Sequence, residues 1–205
     1  MPRIARAQLN AHLFHVLNRG NDRTVIFHKD GDYHAFLRCF GNAKAKHLVR
    51  AFCFCLMPNH FHFLLHADTP RTLGMFMHRW MTSHVRRYHA HHRTSGHLWQ
   101  DRFKTFPVVT DDHFLTVFRY VLQNPVRAGL VQRAEDWLWS SLRFPELIDP
   151  APVTLPPDLQ QWLHETLPEH EVDRLRTLIN RPALVRTPPV PSDDVLPQRQ
   201  AGQAS

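Results

Sequence analysis

Two β-rich runs, Leu48 to Leu56 and His60 to His66, stand on either side of Pro58-Asn59. This pair constrains the fold more than any other stretch. Short apolar runs parted by a turn dipeptide read as the arms of an antiparallel hairpin. Before them, His12 to Asn18 alternates loosely and reads as a strand, followed by the turn cluster Asn18-Arg19-Gly20-Asn21-Asp22. Asp30 to Lys46 carries Tyr33, Phe36, Leu37 and Phe40 as a helical stripe. After the hairpin, Arg71 to His91 repeats apolar residues at three- and four-residue steps, from Leu73 through Trp80 to Tyr88, as one long amphipathic helix. Arg102 to Thr110 reads as a strand. Thr110 or Asp111 then caps a helix running through Phe114, Leu115, Phe118 and Leu122 until Pro125 stops it. The order β-α-β-β-α-β-α is the ferredoxin-like split βαβ pattern with one extra helix. It predicts an α+β domain whose antiparallel sheet is covered by helices on one face.

The longest uninterrupted apolar stretch, Ala51 to Met57, is seven residues. A transmembrane helix needs about 20, so no membrane span is expected. Arg3 and Arg6 are followed by no apolar run, so no secretory leader is read and a cytoplasmic protein is expected. Cys39, Cys53 and Cys55 are odd in number and lack a C-x-x-C spacing, which fits buried reduced thiols.

Charge is distributed unevenly. Residues 1–144 carry 20 Lys and Arg against 9 Asp and Glu, whereas residues 145–205 carry 5 against 9. Arginine outnumbers lysine 16 to 4 in the basic part, and Arg suits bidentate phosphate recognition and base stacking. A polyanion such as nucleic acid is the expected partner. Eleven of the 16 prolines lie at or after Pro145. This divides the chain into a functional domain over 1–144 and an acidic, Pro-rich appendage over 145–205. Short helices are expected between Asp158 and Asn180, with a disordered tail through Pro188, Pro189, Pro191 and Pro197. The opposite sign of the appendage raises the expectation that it lies over the basic face and restrains it.

His60-Phe61-His62 is the sharpest local feature. On a strand, residues i and i+2 point the same way, so two imidazoles would project together about 7 Å apart while Phe61 faces oppositely. Two neutral imidazoles on a rigid sheet face are half of a metal site. With 17 histidines in the chain, hydrogen-bonded structural histidines are the alternative. His89, His91 and His92, near the end of a predicted helix, suit the helix dipole or a phosphate contact. Tyr120 and Asn124 are spaced i, i+4 and share a helix face, about 6 Å apart along the axis.

Taken together, these features resemble a known family. Met57-Pro58-Asn59-His60-Phe61-His62-Phe63-Leu64-Leu65 is similar to the HUH motif (His, hydrophobic, His) of single-tyrosine transposases. Arg119-Tyr120-Val121-Leu122-Gln123-Asn124-Pro125-Val126-Arg127-Ala128-Gly129-Leu130 resembles that family's nucleophile helix. Asn18-Arg19-Gly20, Leu98-Trp99-Gln100 with Arg102-Phe103-Lys104, and Trp139-Ser140-Ser141 match in the right order. The branch most resembled is the REP-associated tyrosine transposases. The likeness covers residues 1–144.

The resemblance implies that Tyr120 attacks a phosphate in single-stranded DNA that folds into a hairpin. The product would be a 5′-phosphotyrosine link and a free 3′-OH. His60, His62 and Asn124 would hold one divalent metal, Mg²⁺ or Mn²⁺ by family likeness. The ligand types alone leave Zn, Fe and Ni open, and Asp101 is the carboxylate nearest in sequence to the Trp99–Arg102 motif. Arg19, Arg23, Arg86, Arg87, Arg93, Arg102, Lys104 and Arg127 are the expected phosphate contacts, and Trp99 is the candidate platform for an unpaired base, with a buried core residue as the alternative. A monomer is favoured, with a homodimer exchanging tyrosine helices as the alternative. Two rival readings use the same basic face: a non-catalytic single-stranded nucleic-acid-binding module, and a metal-dependent hydrolase that needs no tyrosine.

Overall fold

The computed structural model describes residues 12–180. Leu13–Arg19 (β1), Val49–Met57 (β2), His60–Ala67 (β3) and Lys104–Pro107 (β4) form one sheet in the order β2-β3-β1-β4, every neighbouring pair antiparallel. Asp30–Lys44 (α1) joins β1 to β2, and Pro70–His92 (α2) joins β3 to β4. This is the split βαβ order of an antiparallel α+β domain, as expected. Pro58 and Asn59 alone turn the β2–β3 hairpin, with Met57 paired to His60.

Period-two alternation sorts the strand residues onto two faces. Phe14, Val16, Phe61, Phe63 and Leu65 face α1 and α2, where Phe36, Phe40, Phe76 and Trp80 complete an aromatic core. The Trp80 indole N–H donates to the Phe36 carbonyl at 3.3 Å. Leu17, Leu64, Cys53 and Cys55 point the other way, and Asp111–Leu122 (α3) packs on them. Helices therefore cover both faces: α1 and α2 take the expected one, and the extra helix takes the other. The strands explain why. Eight of the nine β2 positions are buried, leaving only Arg50 exposed, and a strand apolar on both sides needs a cover on both sides. The register slips between Ala51 and Cys53, so that Phe52 and Cys53 both join the α3 side.

The outer edge of β2 is closed by later chain. The Leu56 N–H donates to the Trp139 carbonyl at 2.8 Å, and the Ser141 N–H donates to the Phe54 carbonyl at 3.0 Å. The Phe54 N–H donates to Ser141 Oγ at 3.2 Å, and the Ala51 N–H to the Asp149 carboxylate at 2.8 Å. Trp139-Ser140-Ser141 is thus an edge seal. The last strand is shorter than the run 102–110 suggests. The chain before it bends to pair elsewhere: Gly20 bridges Trp99, and the Gln100 N–H donates to the Arg19 carbonyl at 2.9 Å. Gly20 is required there, since a Cβ would stand 2.3 Å from the Thr24 carbonyl oxygen.

A single helical turn, Asn124–Arg127 (α4), follows α3; Leu159–His164 (α5) and Glu169–Asn180 (α6) come later. Leu163, Leu167, Val172 and Leu175 enter the same core as α3. Cys39, Cys53 and Cys55 are buried free thiols. Among the described residues no helix is long and apolar enough to cross a membrane. The proline-containing tail from Pro188 lies outside the described residues.

Candidate metal and tyrosine site

β3 places His60 and His62 on the α3 side of the sheet, with ring centroids 5.1 Å apart, while Phe61 enters the opposite core. Each ring is held by a second group. The His60 Nδ1–H donates to Asn59 Oδ1 at 2.7 Å, which leaves Nε2 with its lone pair. His62 Nδ1 is 2.9 Å from His15 Nε2. In the tautomer where His62 donates, its Nε2 is likewise free to act as a ligand. Such a partner on the far ring nitrogen is what fixes ligand orientation in histidine metal sites.

Burial keeps these rings neutral. His15 is pushed down to about 3, first by burial and then by the nearby His113 and Arg127 charges. His60 is lowered to about 4 by burial and Arg19. His62, 3% exposed, is held well below the ordinary histidine range by burial, His60 and His15. Neutral imidazole is the form that binds a metal.

α3 delivers the tyrosine. Thr110 caps it, its hydroxyl accepting the His113 N–H at 3.1 Å. Val117, Phe118, Val121 and Leu122 bury the helix. The Tyr120 ring lies 5.9 Å from His62 and 6.0 Å from His15, edge-on to both. The phenol is 5% exposed. Burial raises its pKa, opposed by Arg127, Arg176 and Arg19.

Pro125 ends α3 by removing the N–H that the Val121 carbonyl would have met. Asn124 fills the gap: its Nδ2 donates to the Tyr120 carbonyl at 3.0 Å and to the Val121 carbonyl at 3.2 Å. Its Oδ1 remains the atom available to a ligand. Arg127 Nη2 also donates to the Tyr120 carbonyl, at 2.9 Å, and the guanidinium carbon stands 4.0 Å over the phenol ring. Arg127 Nη1 is buried without a partner among the described residues. No ion pair among those residues involves Arg127. A half-buried cation beside neutral histidines, with no carboxylate, is suited to an anion.

The other expected contacts divide by face. Arg19 pairs with His60 across β1 and β3, and Lys104 pairs with Leu17, so both lie at the site. Arg23 neighbours the hairpin turn, where its carbonyl accepts from Asn59 Nδ2 at 2.9 Å. Arg102 is exposed just before β4. Arg86 and Arg87 ride on α2 and Arg93 caps it, in the helix layer across the sheet from His60 and His62. The structure does not bring those three to the histidines. Trp99 takes the core alternative: it is 8% exposed and packs at 5.9 Å from Phe36 and 5.4 Å from Phe61. An indole so enclosed offers no face to a base, because its ring area is worth more in the aromatic core than in water. His15 was not singled out in the sequence, and no local signal could have found it, since its contact with His62 depends on cross-strand register.

A family model described as "Transposase IS200 like" matches residues 8–124. Among solved structures, a REP-associated tyrosine transposase bound to a REP hairpin is similar, with a TM-score of 0.57 at 17% identity; the match covers 78% of this chain and 93% of that one. A chain from Deinococcus radiodurans R1, described only provisionally as a transposase, gives a TM-score of 0.42 at 15% identity, over 58% of this chain and 94% of that one. Among curated proteins none matches.

Proposed function

This chain belongs to the family of IS200-like transposases, and on that premise we propose that it is a metal-dependent endonuclease and strand transferase acting on single-stranded hairpin DNA through Tyr120. The observation that carries the reading is the meeting of the Tyr120 ring with His62 and His15 at 5.9 and 6.0 Å. The similar REP-associated transposase is bound to a REP hairpin, which supports a hairpin as substrate.

In this reading the Tyr120 oxygen attacks the scissile phosphorus and the bond to the 3′ oxygen breaks. The phenol gives up its proton and the departing oxygen takes one. The products are a phosphotyrosine joined to the 5′ end of the downstream strand and a free 3′-OH on the upstream strand. A phenol is both a tolerable nucleophile and a tolerable leaving group, so the step can reverse without ATP. His60, His62 and Asn124 would hold Mg²⁺ or Mn²⁺, which when bound polarises the phosphoryl oxygens. All three ligands are neutral, so none of the ion's charge is cancelled by the protein. Arg127 would meet the phosphate from the other side of the phenol. Arg19, Arg23, Arg102 and Lys104 would guide the strand on this face, and Arg86, Arg87 and Arg93 would serve only DNA that wraps to the α2 side. The chemistry would reside in 1–144, in a monomer working in the cytoplasm, where chromosomal DNA is accessible.

The burial of the phenol favours a second reading, a non-catalytic nucleic-acid-binding module. Incubation with hairpin DNA from the sequence flanking its own gene, with Mn²⁺ and then a denaturing gel, separates the two. A covalent adduct that Tyr120→Phe abolishes supports the enzyme. Hairpin binding with no adduct supports the module, and cleavage indifferent to Tyr120→Phe would point to a water-using hydrolase.

A further inference from the structure

We propose that Asp32, His91 and His92 form a second metal site, separate from the histidine pair on β3, that takes a borderline transition cation of the Zn²⁺ class. One donor atom from each residue lies within 4.8 Å of the other two. Asp32 is in the first turn of α1, and the two histidines end α2. The sites lie on opposite sides of the sheet, because α1 and α2 cover the face away from α3.

The donors are held before any ion arrives. Asp32 Oδ2 accepts the backbone N–H groups of His28 at 3.0 Å and Lys29 at 3.3 Å, which pins the carboxylate. Oδ1 is left to face His92 Nε2 at 3.0 Å. The His92 ring lies 4.3 Å from Tyr88, whose hydroxyl is bonded to His28 Nε2 at 3.1 Å. His91 stands nearly perpendicular to His92, ring centroids 4.8 Å apart, and is exposed.

Ligand chemistry then sets the cation. Two imidazoles and a carboxylate suit zinc, iron or nickel better than magnesium, which prefers an all-oxygen shell. Around zinc, bonds of about 2.0–2.2 Å put tetrahedral ligands about 3.4 Å apart. His92 and Asp32 need to open by only a few tenths of an ångström, and exposed His91 supplies the remaining movement. A water would complete the shell. The carboxylate also gives this site a negative charge that the His60/His62 pair lacks, so zinc should prefer it. The ends of two helices 60 residues apart in sequence would become cross-linked, bracing the connection that carries Leu98 to Gln100 against Gly20.

The test is zinc titration of the full chain after chelator treatment, read by competition with a chromophoric chelator and by thermal melting. The wild type should bind two equivalents tightly, and His91→Ala one. A His60→Ala/His62→Ala variant should keep one equivalent and its rise in Tm; adding His91→Ala should weaken that binding at least tenfold and remove the rise. His91 is exposed, so its loss should leave the metal-free Tm and the Tyr120 adduct in Mn²⁺ unchanged, which separates this site from the strand-transfer reading. Should the double histidine variant fold poorly, the comparison of wild type with His91→Ala decides alone. Equal stoichiometry and affinity in those two proteins would overturn the proposal.

Discussion

His15 shows how much one side chain can decide at this site. Its Nε2 meets His62 Nδ1 at 2.9 Å and so sets which nitrogen of His62 is left for a metal. His15→Phe keeps the ring and loses that contact. Losing a partner that orients a ligating histidine typically costs about 10–100-fold in metal affinity, and the same drop is expected in Mn²⁺ binding by calorimetry; unchanged affinity would show that His62 needs no orienting partner. His84 makes a different prediction. It is buried among Phe27, Phe36 and Trp99 and lowered to about 3 by burial, its Nδ1 without a partner among the described residues. As pH falls below 6.5 the unfolded chain takes up a proton that the folded chain refuses, so stability drops. At pH 5 the loss from His84 is about 2 kcal/mol. Urea unfolding of His84→Leu at pH 7.5 and pH 5.0 should show an acid loss smaller than the wild type's by that amount. Residues were legible in the sequence where their geometry is local. The alternation His60-Phe61-His62 needs only the period of a strand. His15 and His62, 47 positions apart, meet through a register that no short-range pattern encodes, and the choice between core and base platform at Trp99 is likewise a long-range outcome.

At the scale of elements, α3 and α4 act as one device broken at Pro125. The side chains of Asn124 and Arg127 take over carbonyls that a continuous helix would have bonded through its backbone, and this turns both residues back toward Tyr120. Arg127→Met keeps much of the stem and removes the charge. If the guanidinium meets the phosphate, adduct formation should slow by about 100-fold, in the range for loss of one preorganised donor, while metal affinity holds or rises because a nearby cation has gone. Quenched-flow assays with Mn²⁺ check the first, and calorimetry the second. Thr110→Ala should cost about 1 kcal/mol by removing the α3 cap, seen as a lower Tm with Tyr120 chemistry intact once folded. Element order was readable because helix and strand periods differ so clearly here. The short β4 and the slip at Phe52 were not, since pairing with Gly20 and a bulge in β2 are choices of partner rather than of propensity.

For the whole molecule, covering both sheet faces divides the labour: the aromatic core under α1 and α2 supplies rigidity, and the face under α3 carries the groups proposed to react. The acidic segment is part of that second face. Gln123 Nε2 donates to the Leu163 and Glu165 carbonyls at 2.8 and 2.7 Å, and Arg119 pairs with exposed Glu165 at 3.3 Å. Beside them lies a cavity of about 410 Å³ lined in part by Arg127, Arg133 and Arg176. Ending the chain after residue 157 removes α5 and α6. It should lower Tm by several degrees through exposure of the apolar outer side of α3, and should speed adduct formation per folded molecule if the segment restrains the site. Unchanged rates would leave it a purely structural cover. The sequence suggests a sheet covered on one face only; the second layer shows in the burial of β2 on both sides, and composition alone made residues 145–180 look detached. Strand transfer through Tyr120 requires its oxygen to become bonded to DNA, and peptide mass spectrometry of the protein after incubation with hairpin DNA and Mn²⁺ detects that bond. A nucleotide-bearing peptide whose fragments place the phosphate on Tyr120 is the expected result. Cleaved DNA with that peptide unmodified, or the phosphate on another residue, would contradict it.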